Sequence, residues 1–174
     1  MLYLPKFKAV EPNNLTGLRN GHILAQNVTD TEKVKTVKYG DQDYIENGVI
    51  VGLGKSGKVE GYTQADHDVL FLHFTEELNT YFDSLDQFAV EVVKDATYLR
   101  CIALYVGDTF TTNNYDEGTI AGAETGYAKV GEKGVLTLQN EADNESAFIV
   151  KKGTMPDGSV GYEFQYYKKP TATV

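Results

Sequence analysis

The sequence predicts a mainly β protein: a compact β-sandwich or barrel-like domain with an extended N-terminal arm and at most one short helix. Three observations carry this. Short runs rich in Val, Ile, Thr and Tyr recur along the chain, separated by Asn-Gly, Gly-Asp and Gly-rich turns. Tyr (12 residues) and Gly (17) are abundant while Trp is absent, and β-branched and aromatic residues suit a pleated, half-buried surface. Leu-rich stretches with helical spacing are few. The 174 residues are enough for one domain, or two small ones sharing a core, and 41% hydrophobic with 24% charged residues is ordinary for a globular chain.

Residues 1–14, MLYLPKFKAVEPNN, read as the arm. Pro5 and Pro12 bias the residues before them away from helix, and Leu2, Leu4, Phe7 and Val10 have no helical spacing. The arm is either an edge strand of its own fold or a segment lying on a neighbour. From 15 to 63 the strand signals are HILAQNV (22–28), KVKTVKY (33–39), GVIVGL (48–53) and KVEGYT (58–63). DVLFLHF (68–74) reads as a buried strand. In 75–88, Thr75 is a candidate N-cap, with Leu78, Phe82 and Leu85 near helical spacing, so the one short helix is expected there or the stretch is an acidic loop. AVEVV (89–93) continues as strand or helix end. Strands follow at 98–106, 109–115, 126–130, 134–140, 147–153 and 160–169, and Pro156-Asp157-Gly158 predicts a C-terminal hairpin. The expected organisation is one β-rich domain over 15–169, or two subdomains at about 15–63 and 64–169, and then a frayed tail at 170–174.

The net charge of −9 is unevenly spread. Residues 1–60 carry eight basic against seven acidic residues, 61–150 four against sixteen, and 151–174 four against two. An acidic middle argues against a nucleic-acid partner, which needs clustered Lys and Arg. Cys101 is the single cysteine, so there is no intramolecular disulfide and no cysteine metal cluster; in YLRCIALY it reads as a small buried hydrophobe. The first residues have no apolar core of signal-peptide length, and no stretch approaches a membrane span. Synthesis in a reducing cytoplasm, without membrane association, is the expectation.

Gly54-Lys55-Ser56 resembles the end of a phosphate-binding loop, but Val49 stands where the first Gly of that motif must be, and GKVEGYTQ has no helical periodicity. A hairpin turn is expected instead. His67 and His73 are six apart, which matches no ligand pair on one helix face, and His22 reads as a solvent-facing strand residue. There is no Gly-x-Ser-x-Gly elbow and no base partner for Cys101. No catalytic residue, metal ligand or cofactor is therefore assigned. The two Asn-Gly pairs, 20–21 and 47–48, read as turns into strands with positive φ tolerated at both positions.

The order of short motifs is more informative than any one of them. LTGLRNG (15–21), IENGVIVGL (45–53), an acidic middle, LYVGDTF (104–110) and KVGEKGVL (129–136) precede a closing β segment. This order resembles the head decoration, or auxiliary capsid, proteins of tailed bacteriophages with Gram-positive hosts, over about residues 15–150. The resemblance implies a non-enzymatic virion protein, made in the host cytoplasm, that binds the outside of an icosahedral head. There it would clamp the major capsid protein lattice at local symmetry axes, as a homo-oligomer for which a trimer fits three-fold positions. In that setting Leu2, Tyr3, Leu4 and Phe7 are the candidate apolar anchors, with Lys6 and Lys8 steering the arm to an acidic capsid surface. Removing residues 1–12 is then expected to abolish capsid binding and leave the domain folded. The alternative is a head fibre or other β module recognising host carbohydrate or a cell-surface protein, with any exposed members of Tyr162, Tyr166 and Tyr167 stacking on sugars. A hydrolase with an unrecognised acidic pair ranks third.

Overall fold

The computed structural model describes residues 7–75, 89–94 and 96–171. Its strands are β1 (Val10–Asn14), β2 (Ile23–Asn27), β3 (Val37–Tyr39), β4 (Gln42–Glu46), β5 (Ile50–Leu53), β6 (Val59–Gly61), β7 (Phe71–His73) and β8 (Ala89–Glu91). They continue with β9 (Tyr98–Ala103), β10 (Thr109–Thr112), β11 (Tyr115–Asp116), β12 (Thr125–Val130), β13 (Leu136–Gln139), β14 (Ser146–Thr154) and β15 (Val160–Tyr166). One four-residue helix, α1 (Thr16–Arg19), follows β1, and single 3-10 turns occupy Thr31–Lys33 and Glu132–Gly134. The fold is mainly β and sandwich-like, with curled sheets, as the composition predicts.

Three sheets form. The largest runs β1-β10-β15-β14-β12-β13-β11, the second β2-β9-β7-β5-β6, and the third β3-β4-β8. The second curls until its ends meet: Val28, just past β2, bridges Val59 of β6, and the Thr29 N–H donates to the Val59 carbonyl at 2.9 Å. Its inner strands β5 and β9 are largely buried on both faces, which explains why they read as mostly apolar runs rather than alternating ones. Ile50, Leu72 and Ile102 point into the core shared with the seven-stranded sheet. Val49, Val51, Leu99 and Cys101 point the other way, onto Val34, Ile45 and Val59.

In the seven-stranded sheet, alternation is clear in the middle of the terminal hairpin. Phe148 and Val150 of β14, and Tyr162, Phe164 and Tyr166 of β15, face the core, while Ile149, Lys151 and Gln165 between them are exposed. Phe110 stacks on Phe164 with centroids 5.6 Å apart, and Phe148 meets both edge-on at 6.1 Å. Such pairs add to the stabilisation from area alone. The expected C-terminal hairpin is present, β14 pairing with β15 from Phe148↔Tyr166 to Thr154↔Val160.

Four local expectations need correction or placement. A short helix lies at Thr16–Arg19; the helix or acidic loop expected in 75–88 falls on residues 76–88, which lie outside the described residues, and Thr75 is a hydrogen-bonded loop residue. Residues 33–36 are not strand: the 3-10 turn ends at Lys33 and strand begins at Val37. β4 carries no clear strand signal, since QDYIE is mostly polar, and the strand expected over 109–115 is broken into β10 and the two-residue β11, which is held by its parallel partner β13. At the Asn-Gly pairs only the glycine takes positive φ, +72° at Gly21 and +91° at Gly48. Asn20 is the C-cap of α1 at φ −95°, so the first pair is a helix end with Gly just beyond it.

Candidate functional site

Of the six residues assigned to capsid binding, Leu2, Tyr3, Leu4 and Lys6 lie outside the described residues. Phe7 is half-buried against Tyr44 of β4, centroids 5.1 Å apart. Lys8 is exposed, and its backbone N–H donates to Glu46 Oε1 at 2.8 Å. The Ala9 N–H donates to Asn113 Oδ1, and the Ala9 carbonyl accepts from Thr112 Oγ1 at 2.7 Å. From Val10 onward the chain pairs with β10, Val10↔Thr112 and Glu11↔Thr111. The arm expected over 1–14 is therefore an edge strand of its own sheet from residue 10. Val10 is a core residue. Deleting residues 1–12 removes part of the fold, and a clean test of the arm must stop before Phe7.

Beneath this segment lies a buried polar network centred on Asn47 and Gly48. Asn47, 2% exposed, accepts from the Thr75 N–H through Oδ1 at 2.9 Å and donates through Nδ2 to the Thr75 carbonyl at 3.3 Å. Its own carbonyl accepts from Asn114 Nδ2 at 2.7 Å. His73 is fully buried; Nδ1 lies 2.9 Å from the Glu46 carbonyl, and Nε2 lies 2.9 Å from Thr75 Oγ1. A carbonyl only accepts, so Nδ1 carries the proton, Nε2 accepts from the Thr75 hydroxyl, and that hydroxyl accepts from the Arg100 N–H at 3.0 Å. Burial lowers the His73 pKa to about 4, partly opposed by the bond to Glu46. Burial also raises the Glu46 carboxyl, opposed by the Lys8 N–H and the Lys8 and Lys35 charges. Both groups are held by partners of their own chain, as structural polar groups are.

The ordered motifs meet two by two in the fold. Thr16 of LTGLRNG donates its N–H to Asp108 Oδ1 of LYVGDTF at 2.9 Å, and Asp108 Oδ2 accepts from the Tyr105 N–H at 2.9 Å. A Cβ on Gly17 would overlap the Ala103 carbonyl oxygen. Similarly, Gly134 of KVGEKGVL sits against Ile50 of IENGVIVGL so closely that a Cβ would overlap the Ile50 carbonyl oxygen. The preceding Lys133 is the one non-glycine with positive φ among the described residues, at +55°.

The glycine-rich stretch is a hairpin. β5 and β6 pair antiparallel from Val51↔Gly61 to Leu53↔Val59, and the turn is closed by Gly54 N–H to the Lys58 carbonyl at 2.9 Å. Its glycines serve His67 and Glu60: a Cβ on Gly52 would overlap the His67 ring, and one on Gly54 would lie 2.5 Å from Glu60 Oε2. His67 Nε2 is 2.9 Å from Glu60 Oε1, and Nδ1 is 3.0 Å from the Thr63 nitrogen. His22 is exposed, as expected, with Nδ1 2.6 Å from Tyr105 Oη. Cys101 is buried, and desolvation pushes its thiol far up. Tyr162 and Tyr166 are core residues, which removes them as sugar-stacking candidates; Tyr167 is half-buried beside Tyr127, centroids 6.2 Å apart. Among the described residues no group of three or more His, Cys, Asp or Glu could hold a metal ion.

Surface clefts among the described residues include one of about 290 Å³ lined by Lys35, Thr36, Asp116, Glu132, Lys133 and Val135, a mixture of both charge signs. A further cleft, about 220 Å³, is lined by Tyr62, Thr63, Gln64, Val130, Glu145 and Pro170. Tyr62 Oη and Gln64 Nε2 are both buried and without a hydrogen-bond partner among the described residues. Burial, with Tyr166 nearby, raises the Tyr62 hydroxyl to about 12, so it is a neutral donor and acceptor. Sequence reading missed this cleft because its residues come from four separated stretches and form no motif. No helix among the described residues is long and apolar enough to cross a membrane. Comparison with protein-family models, with curated proteins and with solved structures found no match to this chain.

Proposed function

We propose that this protein is a non-enzymatic virion component that decorates and stabilises the outside of a tailed-phage head by binding the major capsid protein lattice. The observation that carries the reading is the pairing of the ordered motifs, 15–21 with 104–110 and 45–53 with 129–136. In this chain those motifs join stretches distant in sequence, which supports reading them together rather than as isolated turns. A protein that binds only the expanded lattice stabilises it by mass action, in proportion to its affinity and free concentration. Leu2, Tyr3 and Leu4 remain the proposed apolar anchors, with Lys6 and the exposed Lys8 steering; Phe7 is engaged with Tyr44 of its own chain. Self-association, with a trimer at three-fold positions, belongs to the same reading. The test is co-sedimentation with purified expanded capsids and with unexpanded shells. Saturable binding to the expanded form alone supports the proposal; no binding to either overturns it.

A second reading, recognition of host carbohydrate, has one observation in its favour. Two unpartnered polar groups, Tyr62 Oη and Gln64 Nε2, belong to one cleft with the Glu145 carboxylate, and buried polar atoms without partners are rare. Saturable binding to a glycan array that is lost in Tyr62→Phe would favour it over the capsid reading. A blank array removes it.

A further inference from the structure

The two Asn-Gly pairs are chemically identical and structurally opposite. Asn20 is exposed at the C-cap of α1, and its neighbour Gly21 has nothing within 4 Å of the position a Cβ would take. Among the described residues, neither the Asn20 carboxamide nor the Gly21 N–H has a hydrogen-bond partner. Asn47, in contrast, is 2% exposed with both carboxamide atoms held by Thr75. The Gly48 N–H donates to the His73 carbonyl at 3.0 Å, and a Cβ there would lie 2.7 Å from Thr112 Oγ1.

An asparagine followed by glycine can cyclise, because the next backbone nitrogen is within reach of the side-chain carbonyl carbon and glycine presents no side chain to block it. We propose that Asn20-Gly21 is a site of spontaneous deamidation and isoaspartate formation in the folded protein, and that Asn47-Gly48 is protected by its hydrogen bonds. In this reaction the Gly21 amide gives its proton to hydroxide or a buffer base, and the nitrogen attacks Asn20 Cγ. The new N–Cγ bond forms, the Cγ–Nδ2 bond breaks, and Nδ2 leaves as ammonia after taking a proton from water. Water then opens the succinimide. Addition at Cγ gives aspartate; addition at the main-chain carbonyl carbon gives isoaspartate. No oxidant or reductant is involved.

Both atoms that must meet are free at Asn20-Gly21, and both are tied elsewhere at Asn47-Gly48. For the second pair to react, the bonds to Thr75 and His73 must break first, so its rate is scaled by the population of an opened state. Conversion at Asn20 adds a negative charge between α1 and β2, two residues from the His22–Tyr105 pair. The isoaspartate product also lengthens that connection by one backbone carbon.

The test is to age the folded protein in warm, mildly alkaline buffer made with ¹⁸O-water, and to follow both sites by peptide mapping with fragmentation that separates aspartate from isoaspartate. A free peptide of sequence LRNGHI and the protein in denaturant are aged alongside. The expected result is conversion at Asn20 within about tenfold of the free peptide, and at Asn47 at least about a hundredfold slower than at Asn20. In denaturant the two sites should convert at similar rates. Equal rates in the folded protein, or an Asn20 that resists while the free peptide converts, would overturn the proposal.

Discussion

Gly17 of α1 lies against the Ala103 carbonyl at the end of β9 with no room for a side chain between them. That contact, with the Thr16–Asp108 hydrogen bond of 2.9 Å beside it, seats the only α-helix among the described residues on the curled sheet. Gly21, four residues later, is the opposite case: open space around it, but φ of +72°. Two glycines in one motif are thus required for different reasons. Gly17→Ala should cost about 2 kcal/mol through overpacking against backbone that cannot move aside. Gly21→Ala should cost about 1 kcal/mol through backbone strain alone. Urea denaturation of both variants, with unchanged m-values, checks the order.

In the β5–β6 hairpin the same logic separates a structural glycine from an apparent motif. Gly52 leaves room for the His67 ring, which Glu60 and Thr63 hold at 2.9 and 3.0 Å. Lys55 is an exposed turn residue. Gly52→Ala should destabilise by about 2–3 kcal/mol, while Lys55→Ala should stay within about 0.5 kcal/mol of the parent. Neither ATP nor GTP should shift the melting temperature of the parent protein. A nucleotide shift abolished by Lys55→Ala would reinstate the phosphate-loop reading.

His73 makes stability pH-dependent. Its folded pKa of about 4 lies below the ordinary 6.5 because burial disfavours the imidazolium. The folded state therefore binds fewer protons than the unfolded chain between those values. The contribution is complete above pH 6.5 and is lost as pH falls through 4, amounting to about 3 kcal/mol. Glu46 works in the opposite sense, since its carboxyl is raised on folding and takes up a proton earlier as pH falls. The His73 contribution is read as the difference in pH slope between the parent and His73→Gln. If that variant does not fold, NMR titration of the parent imidazole gives the same quantity directly. It should remain neutral, with the proton on Nδ1, down to about pH 4. Titration near 6.5 would contradict the buried network.

Fold class was legible because the signals are local. Val, Ile and Tyr runs mark strands, and Pro156-Asp157-Gly158 marks the β14–β15 hairpin, where pattern and turn chemistry agree. The α1 helix was not, because four residues cannot establish a helical period and Gly17 argues against helix. What makes that turn helical is distant in sequence: the Asp108 carboxylate and the space over Ala103. The buried Asn47–Thr75–His73 network was equally hidden, since each member alone resembles a surface polar residue. Asn47 was visible only as half of a turn signal, and the partners that hold it come from the loop just after β7 and from the loop after β10.

The N-terminal segment divides at Phe7, and deletion should reveal the boundary. Removing residues 1–6 leaves the Phe7–Tyr44 contact, the Lys8 N–H on Glu46 and all of β1 in place. Thermal stability should then stay within about 0.5 kcal/mol of the parent, and on the capsid reading lattice binding should vanish. Removing residues 1–12 takes away Val10, which is 8% exposed, and its pairing with Thr112. It also strips the buried Glu46 carboxylate of its Lys8 donor and leaves Thr112 Oγ1 and Asn113 without their Ala9 partners. Lost apolar burial and newly unpaired polar groups together should cost about 3–5 kcal/mol. Calorimetry and capsid co-sedimentation on both truncations separate the two roles. Lost binding with unchanged stability in the shorter truncation assigns residues 1–6 to the capsid, and retained binding there removes the arm from the mechanism.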